Sequence, residues 1–162
     1  MNTFIFEILP YILVAIVAYI FIIKPKSKRR ASDFVYKCGI RGMEYRRIPK
    51  KMSEGLFTGF IISEYNAHDK NAIAIYAGED THIGFIARWK TDELREKLGS
   101  DLEEPYPVFG FTEKDEPDED TNGWSGDIFI PTRGHTHQLN DIIQYYKSSP
   151  SAMMEFHNLE YL

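Results

Sequence analysis

Hydrophobic and polar positions along this chain fall into three kinds of pattern. From Phe4 to Ile23 the sequence FIFEILPYILVAIVAYIFII is apolar throughout except for Glu7. Twenty residues of helix at about 1.5 Å each span roughly 30 Å, the hydrocarbon thickness of a bilayer. Beyond residue 32 the apolar runs shorten to strand length. DFVYKCGI and GLFTGFIISEY are rich in aromatic and β-branched residues, AIAIYA and HIGFIA flank Gly78-Glu79-Asp80-Thr81 as a four-residue hairpin, and PYPVFGF and DIFIPT form a further pair. Two segments instead carry helical spacing. TDELREKLG has Thr91 as an N-terminal cap, Asp92 and Glu93 in its first turn, Leu94 and Leu98 on one stripe and Gly99 after its end. QLNDIIQYYK places Leu139, Ile142, Ile143 and Tyr146 on one face, with Pro150 ending it or lying just beyond. Many short strands with helices at the margins predict a mainly β, α+β fold: a small, partly closed barrel preceded by one transmembrane helix. The connections are too short for repeated βαβ units.

Charge then orients the apolar segment. Its start, MNTFIFE, has no Lys or Arg, and it ends in Lys24, Lys26, Lys28, Arg29 and Arg30 without a small-residue cleavage site. That pattern predicts an anchor rather than a signal peptide, with the basic flank, and hence the globular part, on the cytoplasmic side of the cell membrane. The basic run also suits anionic headgroups. The organisation expected is an external N-terminus at 1–3, a span at 4–23, a basic linker at 24–32, a barrel domain at 33–132 and a C-terminal helical segment at 133–162. Cys38 is the single cysteine, so no intrachain disulfide forms. The net charge of -5 is uneven: residues 33–98 hold 11 Lys and Arg against 10 Asp and Glu, whereas residues 99–162 hold 3 against 13. A polyanion would therefore meet the first part of the domain, although the chain lacks the basicity of a dedicated duplex binder.

The order of residues from Asn66 onward is the most specific signal. Asn66-Ala67-His68-Asp69-Lys70-Asn71-Ala72-Ile73 leads into a strand, a hairpin, Ile83-Gly84-Phe85-Ile86-Ala87-Arg88 and a helix, while GIRGMEYR lies upstream. This arrangement resembles the HIRAN domain over residues 36 to 98, with closing strands extending to Thr132. The resemblance implies an OB-like barrel that captures single-stranded DNA at its 3′ end. In that reading Tyr45 stacks on a terminal base, Asn66 and His68 line the end pocket, Asp69 accepts from the 3′-hydroxyl, and Arg88 meets a phosphate. These are chemically fitting roles, since a carboxylate accepts from a hydroxyl but repels a terminal phosphate. The chain departs from the family's DNA-end readers at Glu44, where they carry Arg, at Arg46, where they carry an aromatic, at His68, where they carry Tyr, and at Phe85, where they carry His. Arg46, with Arg47, Lys50 and Lys51, returns positive charge to the neighbourhood of Glu44.

Each of these residues also has a purely structural reading. Asp69 and Asn71 can order a turn through their own backbone, Tyr45 can be a core aromatic, and Arg88 a solvated strand end. Asp118, Asp120 and Asn122 match the first half of a calcium loop, but the position that should supply the bidentate Glu is Phe129, so a solvated acidic loop is the stronger expectation. His135 and His137 form a short pair without the further ligands that zinc needs. No phosphate-binding glycine loop, nucleophile elbow or metalloprotease helix is present, and no cofactor is called for. The expected function is a non-enzymatic binding module for single-stranded nucleic acid or DNA ends. A protein-interaction domain is the alternative, and a metal-dependent hydrolase a distant third.

Overall fold

The computed structural model describes Arg30–Lys50 and Met52–Leu162. The span expected at 4–23 lies outside these residues, and among the described residues no helix is long and apolar enough to cross a membrane. Ala31–Leu162 is one compact unit. It holds six strands, β1 (Val35–Gly39), β2 (Gly55–Ser63), β3 (Ile73–Ala77), β4 (Thr81–Phe85), β5 (Tyr106–Lys114) and β6 (Trp124–Pro131), and three α-helices, α1 (Thr91–Leu98), α2 (Leu139–Lys147) and α3 (Pro150–His157). All strand pairs are antiparallel, and the sheet runs β1-β6-β5-β2-β3-β4.

The sheet curls without closing. Its two outermost strands meet only beyond the end of β1, where Arg41 N donates to Phe85 O at 2.8 Å and Phe85 N to Arg41 O at 2.9 Å. Gly84 is what permits this approach: a Cβ there would stand 2.5 Å from Ile40 Cγ2 and 2.7 Å from the Arg41 carbonyl oxygen. Lower on β1, the C-terminal residues lie along the same edge, with Tyr161 bridged to Lys37 and Leu162 N donating to Lys37 O at 2.9 Å. Exposed sheet edges invite pairing with other chains, and β1 is covered in this way.

Both sides of the sheet are packed, which accounts for near-continuous apolar runs such as DIFIP. Ile128 and Ile130 turn to one core with Cys38, Ile61, Ile75, Val108, Leu94 and Leu98, so α1 covers that side. Phe129 and Phe109 turn to the other, against Ile142, Ile143, Tyr146 and Phe156 of α2 and α3. The segment 133–162 is thus a layer of the domain rather than an appendage. Ala31 belongs to the same unit, since it is fully buried and its N–H donates to Glu155 at 2.6 Å.

Two local expectations are corrected and a third is met with an addition. Thr91 does not cap α1: a 3₁₀ turn at Arg88–Lys90 runs directly into the helix, and the Thr91 hydroxyl donates back to Arg88 O at 2.9 Å. The helix ends at Gly99 as expected, in the left-handed conformation with φ 60°. The β3–β4 hairpin loop is one residue shorter than four, because Thr81 already pairs with Ala77 and a register shift at Ile75/Tyr76 takes up the difference. Pro150 lies just beyond α2, as one of the two expectations for it had it, and it opens a separate helix, α3, which Ser149 caps by accepting from Ala152 N at 3.1 Å.

Candidate functional site

The loop between β2 and β3 is built by its own side chains. Asn66 Oδ1 accepts from His68 N at 2.9 Å and from Asp69 N at 2.8 Å, and Asn66 N donates to Asp69 O. Asp69 Oδ1 in turn accepts from Asn71 N at 2.9 Å. The spacing Asn-x-x-Asp-x-Asn is therefore the spacing of two consecutive side-chain turns. Arg95 of α1 closes the loop from below by donating to Asn71 O at 3.2 Å and Ser63 Oγ at 3.0 Å. The turn-ordering reading of Asp69 is correct for one of its oxygens. The other has no protein partner among the described residues, and the ordering extends to Asn66, whereas Asn71 contributes its backbone.

A second support holds Arg46. On the outer surface of β2–β4, Phe60, Tyr76 and His82 stack in sequence with ring centroids 4.9 Å apart, and Phe85 meets His82 edge-on at 4.8 Å. The Arg46 guanidinium lies 4.9 Å from the Phe85 ring centroid and 3.5 Å from His82 Nδ1. Burial of the imidazole, reinforced by the Arg46 charge, holds the His82 pKa below the ordinary histidine value. The Tyr76 hydroxyl donates to Glu64 at 2.8 Å, which pushes its own pKa up. From the opposite side Asn122 pins the 3₁₀ turn Met43–Tyr45: its Nδ2 donates to Met43 O at 3.0 Å and to Arg46 O at 2.5 Å, while its Oδ1 accepts from Trp124 N at 2.8 Å.

These two supports meet around a cavity of about 650 Å³ lined by Arg46, Asn66, His68, Asp69 and Arg88 together with Arg41, Ala72, Phe85, Ile86, Ala87 and Trp89. Five of the six residues singled out from sequence thus share one pocket. Tyr45 does not line it; it is 73% exposed beside Arg46 and is not a core aromatic. Glu44 is also absent from the lining, and its carbonyl accepts from Asn122 N at 2.9 Å. Sequence reasoning missed Arg41, which the Phe85 bridge carries to the rim, and Trp89, which is 72% exposed with the Arg41 guanidinium 5.7 Å from its ring centroid. Trp89 directly follows Arg88 in sequence, and that adjacency was the available signal. Phe85, noted only as a departure from the family pattern, forms the floor under Arg46. The pocket so assembled has an apolar wall, three arginines and one carboxylate. It can hold an anionic group next to a flat apolar one, with Asp69 as the acceptor for a neutral donor.

The remaining candidates do not converge. Asp118 Oδ1 accepts from Asp120 N and Thr121 N at 2.9 and 2.7 Å, which lowers its pKa, and the Asn122 oxygen is committed to Trp124 N. His135 is hydrogen-bonded to Thr132, and His137 to Gln138. Among the described residues no group of three or more His, Cys, Asp or Glu is placed to hold a metal ion. Cys38 is buried, and burial pushes its thiol up to about 12, so it is an unreactive core residue. No family model, curated protein or solved structure matches this chain.

Proposed function

We propose that this protein is a membrane-tethered cytoplasmic binding module for single-stranded nucleic acid, with DNA 3′ ends as the preferred ligand, and that its curled sheet is an OB-like barrel of the HIRAN type. The observation that carries the reading is the convergence of Arg46, Asn66, His68, Asp69 and Arg88 on one cavity. In this reading the terminal sugar enters beside the Asp69 oxygen that has no protein partner among the described residues, and that oxygen accepts from the 3′-hydroxyl. The last phosphodiester is met by Arg88 and Arg41, and the exposed ring of Tyr45 stacks on the terminal base. Glu44 lies outside the cavity lining.

The test compares matched single strands ending in a 3′-hydroxyl or a 3′-phosphate by fluorescence anisotropy at low salt. The hydroxyl end should bind more tightly, because Asp69 faces a terminal phosphate as anion against anion. Asp69→Asn is the informative variant. Its amide oxygen can still accept from Asn71 N, so the turn survives, whereas the charge is gone and the preference should disappear with it. Loss of the preference corresponds to about 1.5 to 3 kcal/mol, the range for a hydrogen bond to a charged group. Equal binding of both ends by the unaltered protein would refute end capture. Tethering is checked by protease protection in oriented vesicles, where digestion of the domain from the outer face alone would exclude a cytoplasmic position.

Exposed Tyr and Trp beside arginines on an apolar wall are also what protein interfaces use at their centres. That observation favours a protein-interaction domain as the second reading, and it takes precedence if the folded domain binds no strand at all.

A further inference from the structure

The pocket continues beyond the residues that define its end. Arg41, Ile86, Ala87 and Trp89 line it on one side and, on the other, a second groove that extends past Lys90 to Tyr161 and Leu162. Gly39, Arg41 and Tyr161 then carry the surface into a third concavity of about 510 Å³ bordered by Ser125 and His157. The three depressions are thus neighbours, with Arg41 lining all of them.

Along this path lie two exposed aromatic rings, each held in place by a cation. Trp89 is 72% exposed with Arg41 at 5.7 Å, and Tyr161 is 59% exposed with Lys37 Nζ at 4.2 Å from its centroid. Tyr161 is fixed further by its hydroxyl, which donates to Asp127 at 3.2 Å, while Asp127 pairs with Lys37 at 3.2 Å. A large aromatic left in water contributes nothing to the core, and here two rings are ordered without being buried. Lys37 is itself buried and satisfied by Asp127 and by His157 O at 2.6 Å, so the cation offered to a passing phosphate is Arg41. Rings with open faces beside a cation suit a flexible anionic chain of flat bases.

We propose that a strand held by its end in the pocket continues over Trp89 toward Tyr161. The penultimate base stacks on Trp89, with the phosphate that joins it to the terminal nucleotide at Arg41, and the third base reaches Tyr161. This proposal rests on the end-capture reading and adds to it a direction and a length of about three nucleotides.

The test uses the full-length chain in neutral detergent micelles and oligothymidylates of one to six nucleotides with free 3′-hydroxyls, titrated by calorimetry. Affinity should rise with the second and third nucleotides and then level off. Trp89→Ala should weaken every strand of two or more by about tenfold and the mononucleotide by clearly less, in keeping with one stacked base. Trp89→Phe should recover part of that loss. Tyr161→Ala should act only from the third nucleotide, whereas Tyr161→Phe, which keeps the ring, should bind like the unaltered chain. Affinity that is flat from one nucleotide upward, or a length dependence that survives Trp89→Ala, overturns the path and leaves end capture standing. Absence of binding to any strand overturns both.

Discussion

Asn122 links the acidic loop to the pocket, and its replacement separates a tether from a metal ligand. The side chain makes three hydrogen bonds: to Met43 O at 3.0 Å, to Arg46 O at 2.5 Å and from Trp124 N at 2.8 Å. A hydrogen bond contributes about 0.5 to 1.5 kcal/mol net, so Asn122→Ala should destabilise the domain by roughly 2 to 3 kcal/mol. For a domain of this size 1 kcal/mol moves the melting temperature by about 4 °C, so the expected fall is about 8 to 12 °C. Asn122→Asp is the sharper variant. Its carboxylate can still accept from Trp124 N, but it has nothing to donate and sets a negative charge against two carbonyl oxygens. It should therefore be at least as destabilising as Ala. A calcium site makes the opposite prediction, since a third carboxylate beside Asp118 and Asp120 adds a hard oxygen ligand. The assay is thermal denaturation of the Ala31–Leu162 fragment, which contains both core clusters, with and without millimolar calcium. An Asn122→Asp variant as stable as the unaltered domain, or raised several degrees by calcium, would refute the tether.

Two further outcomes test how the pocket is supported. Gly84→Ala should force apart the Arg41–Phe85 bridge, since the new methyl meets Ile40 and the Arg41 carbonyl; the cost should be about 1 to 3 kcal/mol. Hydrogen exchange should accelerate at the Arg41 and Phe85 amides while β5 and β6 stay protected, and unchanged protection at that pair would contradict the steric argument. The lowered pKa of His82 means that the folded state resists protonating it. Its contribution is complete above the usual value near 6.5, where both states are neutral, and is lost as pH falls below that value toward the folded pKa. The stability difference between the unaltered domain and His82→Gln should accordingly shift against the unaltered domain between pH 7.5 and 5.5, and a pH-independent difference would dismiss the effect.

The strands were legible because their runs matched strand length and ended at turn residues, and the faces of α1 and α2 followed from the spacing of Leu94, Leu98, Ile142 and Tyr146. What local pattern could not show was anything set by distant chain. Thr91 reads as a cap only when the preceding Arg88–Lys90 turn is unknown, and Pro150 reads as a stop until Ser149 is seen to start a new helix. Arg41 looks like an ordinary polar residue after a strand, and it becomes a pocket residue through a bridge to a strand more than forty positions away. Asn122 was visible as a possible metal ligand, since its residue type and spacing fit one. Its partners Met43 and Arg46 lie in another part of the chain, so its role as a tether was invisible.

The turn and the proposed ligand reading can share one residue, Asp69. Ordering the loop uses the Asn66 oxygen and only one of the two Asp69 oxygens, so the turn leaves a second acceptor on a residue that lines the pocket. Arg46 is likewise held by Phe85 and His82 before any ligand arrives, whereas His68 and Arg88 stand on exposed backbone without comparable support. Ordering a side chain at an interface costs about 0.5 to 1.5 kcal/mol when it is not already fixed. In the proposed end-capture reading the choice of end should therefore rest on Asp69, whose conformation is set by the fold. Substitutions at His68 and Arg88 should lower affinity, less than a fully preordered contact would in proportion to the ordering these side chains must undergo, without abolishing the choice of end.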